Sequence, residues 1–201
     1  MVWPDKTAAL NNRHVHLTRT VADDAPELFT SLDDPAVWAN VPSCPQTPQA
    51  LADVISGSAA TGRFMWTIRL PSGQVAGTSS YLDVAPEHAR LEIGWTLYGR
   101  NFWGTAVNPA TKLLLLQHAF HDLLVGRVQL KTDIRNERSQ HAIARLGAEH
   151  EGVLRRYQRR GDGTVRDSVL FSITAENWPQ VRAGLEQRLA DQSDPTTATD
   201  G

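Results

Sequence analysis

Apolar residues alternate with polar or small ones from residue 64, where Phe64, Trp66, Ile68 and Leu70 fall on one side of an extended chain. A period of two is that of a strand. Pro71, Ser72 and Gly73 supply a turn, and QVAGTSSYLDV (74–84) returns as a second strand, so a hairpin is predicted. LEIGWTLYG (91–99) alternates again, with Leu91, Ile93, Trp95 and Leu97 predicted on one face and Glu92, Gly94, Thr96 and Tyr98 on the other. An apolar helix is expected to run to about Leu124, followed by the strand RVQLKTD (127–133) with Val128 and Leu130 inward. A helix from about Asn136 to Leu146 is stopped by Gly147. EHEGVLRRYQRR and VRDSVLFSIT flank Gly161-Asp162-Gly163 as a second hairpin, and a last helix packs through Val181, Leu185 and Leu189.

Earlier in the chain, HVHLTRT (14–20) is a short strand candidate, Ala22 to Pro26 reads as a helix entrance, and Thr47-Pro48 caps and opens another helix. Residues 1–12 are expected to be a flexible arm, 13–190 one domain, and 191–201 a disordered tail. Early helices, an antiparallel meander, one strand-helix-strand crossover and a closing hairpin predict an α+β fold: a mixed, mostly antiparallel central sheet flanked by helices.

Composition narrows the function classes. The 201 residues include 41% hydrophobic positions, enough for a core. No apolar run reaches the roughly 18 to 20 residues of a membrane span, and the N-terminus lacks a leader pattern, so a cytoplasmic location is expected. The lone cysteine, Cys44, sits in a turn-like Val-Pro-Ser-Cys-Pro and leaves no internal disulfide framework or thiolate cluster. The histidines lack metal-ligand spacing, so no metal is expected. Residues 127–166 hold ten Arg or Lys against five Asp or Glu in a chain of formal charge −2, a local balance that suits an anionic ligand or, for most of these arginines, a solvated charged surface. A nucleic-acid binder would show a basic balance overall, so the LRRYQRR run (154–160) is the weaker argument for such a partner.

GRNFWGTAVNPATK (99–112) stands between a strand and an apolar helix. Small residues at a helix entrance let a phosphate approach unpaired backbone N–H groups at the positive end of the dipole, so Gly104, Thr105 and Ala106 form a candidate phosphate cradle, with Arg100 beside them. The Lys-Ser or Lys-Thr of a nucleotide P-loop is absent, as is GxGxxG. The simpler alternative is that Gly104 only turns the chain and Asn108-Pro109 caps a helix.

LEIGWTL, NFWGTA, the apolar helix ending HAF, RVQLKTDIRNERSQHAIARLGAEHEGVLRR, and RDSVLFSI followed by ENWP occur in that order, and over roughly residues 10–190 the chain resembles the GNAT superfamily of N-acetyltransferases, in particular the RimJ/RimL type. The resemblance implies acetyl-coenzyme A as co-substrate donor. It implies a pyrophosphate loop at Asn101, Gly104 and Ala106, with Arg100, Thr105 and Val107 beside it. Asn101 stands where Gln or Arg is usual. It further implies that Ile93, Gly94 and Trp95 hold the acyl end through their backbone, that Asn136 contacts the pantetheine arm, and that the protein is a homodimer.

The implied reaction is attack of an amine on a thioester, and the attacking ammonium, of reference pKa about 10.4, must lose a proton. Glu92, on the polar face of an apolar strand, is the candidate general base, against the alternative of a carboxylate held in an ion pair. A backbone N–H near Ile93 to Trp95 is the candidate oxyanion donor. Ile143 stands where many members have a Tyr beside the thiol, and Ser139 is the candidate partner of the sulfur and second catalytic residue. Glu151 is expected to be structural or ion-paired, Tyr157 to pack or line the acceptor pocket, and Gln158 cannot serve as a base. A non-catalytic acyl-coenzyme A sensor or docking module on the same fold is the alternative function. The acceptor, a protein N-terminus or a small amine, and any bulkier acyl donor such as succinyl are left open.

Overall fold

The structure, a computed structural model, describes residues 1–2, 4–5, 7–41 and 44–192, so the expected disordered tail lies outside the described residues from residue 193 on. Eight strands form one sheet: β1 (Ala9–Asn11), β2 (His16–Arg19), β3 (Phe64–Arg69), β4 (Val75–Ala85), β5 (Arg90–Tyr98), β6 (Arg127–Asp133), β7 (Glu149–Arg159) and β8 (Val165–Thr174), in the order β1-β2-β3-β4-β5-β6-β8-β7. Six α-helices accompany it: α1 (Ala25–Ser31), α2 (Pro35–Trp38), α3 (Pro48–Gly57), α4 (Val107–Gln117), α5 (Glu137–Ala144) and α6 (Trp178–Asp191). The α+β architecture with both predicted hairpins is present. Where a loose arm was expected, Ala9–Asn11 pair antiparallel with β2.

The helix starts follow their capping chemistry. Thr47 Oγ1 accepts from the Ala50 N–H at 3.1 Å with Pro48 in the first turn, and Asn136 Oδ1 accepts from the Ser139 N–H at 3.1 Å. Asp24 does more than complement a dipole. Its carboxylate accepts from the Val21 N–H, the Thr67 hydroxyl and the Arg69 guanidinium at 3.0, 2.9 and 2.8 Å, tying the entrance of α1 to β3. α4 ends at Gln117, and a π-helical turn, His118–Asp122, carries the chain on to Leu123.

Two apolar clusters pack the sheet. The larger joins Trp66, Ile68, Leu91, Ile93 and Tyr98 to residues of α4, α5 and α6, including the predicted Val181, Leu185 and Leu189. The smaller joins Met65, Val75 and Leu97 to α1 and α3. Met65 and Trp66 are neighbours on one strand, so the clusters lie on opposite faces.

β5 departs from the predicted alternation. Thr78 of β4 faces Leu97, but Ser80 faces Gly94, so Trp95 and Thr96 together oppose the single residue Ser79. This β-bulge holds Trp95 at φ +48 and reverses the facing beyond it. Leu97 therefore joins the smaller cluster instead of sharing a face with Leu91 and Ile93, and Tyr98 joins the larger. The side-chain faces predicted for 91–98 hold only up to Gly94.

Candidate active site

β5 and β6 are the sheet's parallel pair, and they pair over only three positions: Arg90 with Arg127, Leu91 with Val128, Glu92 with Gln129. Beyond Glu92, β5 stays with β4 and β6 with β8, so the two strands part and a fork opens at Glu92. The fork is the inner end of a cleft of about 650 Å³. Of the residues singled out in the sequence, Glu92, Ile93, Gly94, Trp95, Gly104, Thr105, Asn136 and Ser139 line it. Arg100, Asn101, Ala106 and Val107 are not in its lining: Arg100 and Asn101 are exposed, and Val107 is buried at the start of α4.

The glycine loop is pinned at both ends. Trp103 Nε1 donates to the Tyr98 carbonyl at 3.0 Å, and the Thr105 hydroxyl donates to the Phe102 carbonyl at 2.8 Å while receiving the Val107 N–H at 3.3 Å. Gly104 sits at φ +78, a conformation glycine adopts without Cβ strain, with nothing within 4 Å of where a Cβ would be. The N–H groups of Gly104 and Ala106 find no acceptor among the described residues. The helix therefore starts at Val107, one residue ahead of the Asn108-Pro109 cap that the simpler reading required. Asn108 Oδ1 instead accepts from the Tyr98 hydroxyl at 3.2 Å.

Two guanidiniums flank this loop. Arg138 lies 3.4 Å and Arg100 4.6 Å from the Trp103 ring centre. Burial, and then the neighbouring charge of Arg100, lower the Arg138 pKa. Like charges held together by one aromatic ring suit an anion between or above them.

At the fork, Glu92 is 7% exposed, and Lys131 Nζ lies 2.8 Å from its Oε2. Burial raises the Glu92 pKa, an effect that the Lys131 hydrogen bond and charge only partly offset. Burial alone would lower the Lys131 pKa, but Glu92 and the Tyr157 hydroxyl hold it above its ordinary value. Lys131 Nζ donates to the Tyr157 hydroxyl at 2.7 Å, so a polar line runs from buried Glu92 through Lys131 to Tyr157, which is exposed. Tyr157 and Gln158 line the cleft, as does Arg166, whose guanidinium is matched by the Ser168 hydroxyl at 3.0 Å and by no carboxylate of the described residues within 4 Å. Glu92 is thus an ion-paired carboxylate, paired with a lysine rather than an arginine, and its place at the fork leaves it beside the cleft.

Asn136 Oδ1 is occupied by the α5 cap, which leaves its amide N–H groups as the donors facing the cleft. The Ser139 hydroxyl has no partner among the described residues, and Ile143 is buried beside it on α5. Glu151 is tied to both terminal nitrogens of Arg127 and to the Ser172 hydroxyl, and its pKa is lowered to about 2, chiefly by Arg127. It is ion-paired, one of the two alternatives expected for it. Cys44 is exposed, and the described residues hold no group of three or more His, Cys, Asp or Glu that could hold a metal ion. Sequence reasoning missed Lys131 and Lys112. Lys131 alternates with Leu130 on β6, and Lys112 interrupts the apolar run of α4, and each pattern was a usable signal.

The family model described as the acetyltransferase (GNAT) domain matches residues 14–149. An uncharacterised N-acetyltransferase, p20 of Bacillus licheniformis, is 26% identical over 171 residues, covering 82% of this chain and 94% of that protein. The crystal structure of a protein assigned as an acetyltransferase from T. thermophilus is 42% identical, with a TM-score of 0.84 over 94% of this chain and 100% of that one. RimJ of Mycobacterium smegmatis, solved in complex with CoA-disulfide, shares the fold at a TM-score of 0.77 and 23% identity, over 92% of this chain and 95% of that one. A sheet forked beside a glycine loop and a helix entrance, and a domain match over residues 14–149 that takes in the fork, the loop and the crossover, make this chain a member of the GNAT acetyltransferase family.

Proposed function

We propose that the protein is an acyl-coenzyme A dependent N-acyltransferase that carries an acetyl group from acetyl-coenzyme A to a primary amine by direct attack, without a covalent enzyme intermediate. The observation that supports this most is that one cleft is lined both by the glycine loop and by buried Glu92 at the fork. In this reading the loop N–H groups and the Arg100–Arg138 pair take the phosphates, Asn136 takes the arm, and the backbone from Ile93 to Trp95 holds the thioester. Glu92 accepts the proton that leaves the amine as the new C–N bond forms. Charge that develops on the carbonyl oxygen meets a backbone N–H of the bulged strand. As the C–S bond breaks, the Ser139 hydroxyl hydrogen-bonds the departing thiolate, which takes up a proton from solvent, and Glu92 returns its own proton to solvent before the next turnover.

The amine belongs to a protein N-terminus or a small molecule. RimJ of Mycobacterium smegmatis supports the use of a coenzyme A donor on this fold. The reading includes a cytoplasmic homodimer, which rests on the family resemblance, and sedimentation as a 22.2 kDa monomer at high concentration would remove the dimer.

Thermal unfolding with acetyl-coenzyme A tests the cradle. A ligand at 100 times its dissociation constant adds about 2.7 kcal/mol to stability. Gly104→Glu strains the backbone at φ +78 by about 1 to 3 kcal/mol but meets no neighbouring atom, so it should fold with a lower melting point, and it places a carboxylate where phosphates would lie. Wild type is expected to gain stability from the donor and the variant to gain none. Stabilisation by succinyl-coenzyme A alone would change the donor, and equal stabilisation of wild type and variant would move the phosphates elsewhere. Release of free thiol with an amine acceptor separates the enzyme from a sensor on the same fold.

A further inference from the structure

α4 carries a charge into the interior. Lys112 is 5% exposed and lies within a stretch whose other buried members include Ala110, Thr111, Leu115 and Leu116. Its Nζ lies 2.7 Å from Thr96 Oγ1, and Thr96 Oγ1 lies 2.8 Å from Ser79 Oγ. No carboxylate of the described residues is within 4 Å of Nζ. An ammonium has three N–H donors, and one is matched here. The remaining two belong to a side chain that lines the cleft.

The fold gains little from this lysine. Burying an ammonium without a counter-charge is unfavourable, and an apolar side chain of similar volume commonly does as well or better. Thr96 keeps its Ser79 partner if the lysine is removed. The groups that meet Lys112 supply no anion: its ammonium is bonded to Thr96 of β5, which is bonded in turn to Ser79 of β4. The carboxylates that share the cleft, Asp83 and Glu92, are tied to Arg90 and Lys131, and its other charged side chains are cations. Among the described residues nothing supplies the missing acceptors, which leaves them to water or to a ligand in the cleft.

We propose that Lys112 is a ligand-binding residue whose ammonium, anchored on Thr96, donates to a carbonyl oxygen of the bound acyl-coenzyme A beside the β5 bulge. This rests on the reading of the cleft as an acyl-coenzyme A site. Lys112 follows the first residue of α4 by five positions, which at 1.5 Å per residue puts it roughly 7 to 8 Å along the axis from the helix entrance where the phosphates would sit. The parts of such a ligand between the phosphates and the sulfur offer amide carbonyls, and the acyl end adds a thioester carbonyl. Either oxygen is the acceptor chemistry Lys112 lacks.

The apo environment also makes this interaction measurable. Burial lowers the Lys112 pKa to about 7, so near that pH part of the free protein holds a neutral amine. A ligand oxygen that accepts from the ammonium favours the charged form, so binding above neutrality draws in protons. Titration calorimetry at about pH 7.5, in two buffers of different ionisation heat, is to be run with acetyl-coenzyme A and with coenzyme A on wild type and Lys112→Met. Wild type is expected to take up a fraction of a proton, and Lys112→Met to lose that uptake and to bind at least tenfold more weakly.

Weakening toward acetyl-coenzyme A alone identifies the thioester carbonyl, and weakening toward both identifies an arm amide. The apo variant should melt higher than wild type. Its advantage should be larger near pH 6.5 than near pH 9, because a lysine depressed from about 10.4 to about 7 contributes stability that is full above the unfolded value and is lost as pH falls toward the folded one. Unchanged affinity and proton uptake in Lys112→Met would overturn the proposal, as would a variant that fails to fold, since that would make Lys112 a structural anchor. A wild type that binds neither ligand would instead remove the underlying reading of the cleft.

Discussion

Glu92 and Lys131 are buried as a pair at the fork, and the carboxyl is the member whose proton affinity burial wins: its pKa is raised despite the ammonium 2.8 Å away. A base must be ionised to take a proton, so turnover is expected to rise with pH through a value above the ordinary glutamate range, and Glu92→Gln should erase that limb. General acid–base catalysis is worth about 10² to 10⁴ in rate, so the variant should lose roughly a hundredfold in kcat while its affinity for acetyl-coenzyme A stays within about twofold. Thiol release followed against pH checks both. A full pH limb in Glu92→Gln would move the base elsewhere along the line from Lys131 to Tyr157. The variant should also melt lower, because the amide that replaces the carboxylate removes the negative charge beside the half-buried Lys131 ammonium. Glu92 was legible because a carboxylate between Leu91 and Ile93 interrupts an apolar strand. Its partner was not legible, since the register that brings Lys131 of β6 to it is a long-range pairing that local pattern does not encode.

Strands and capped helices were readable one by one, since period, turn residues and caps are local. The Thr47 and Asn136 caps, the glycine loop and both hairpins stand where the pattern put them. α2 is only four residues long, with Asp34 accepting from the Ala36 N–H at 2.8 Å, too short to register as a period. The β5 bulge was hidden for another reason: its left-handed residue is Trp95, where a glycine would have signalled the turn in conformation. Across from the bulged segment, Gly77 of β4 pairs with Tyr98, and a Cβ there would come within 2.0 Å of the Leu97 carbonyl oxygen. That contact is with backbone and cannot be relieved by a rotamer. Gly77→Ala should therefore destabilise the protein by more than about 3 kcal/mol, among the large effects of overpacking, and a urea midpoint within error of wild type would mean that β4 and β5 can slide apart.

Over the whole molecule the formal charge is −2, yet the charged side chains that line the cleft are mainly cations. Part of the basic excess in residues 127–166 is neutralised within the fold. Arg127 is tied to Glu151, Lys131 to Glu92, and Arg160 to Asp133 at 2.6 Å, which removes Arg160 from the LRRYQRR run as a free contact for nucleic acid. Arg138, Arg145 and Arg166 have no carboxylate of the described residues within 4 Å and line the cleft, where low-dielectric walls concentrate their field. A multiply charged donor should then bind with a salt dependence out of proportion to the small net charge of the chain. Raising ionic strength from about 0.05 to about 0.5 M shortens the screening length about threefold, and the dissociation constant for acetyl-coenzyme A is expected to rise roughly tenfold. Arg138→Ala should flatten that slope, because it removes the guanidinium closest to Trp103 and leaves Arg100 alone at the loop. Calorimetry across a salt series measures both slopes. Equal slopes would mean that the phosphates are held by the backbone N–H groups of the glycine loop and the dipole of α4, with the arginines serving only to raise the rate of encounter.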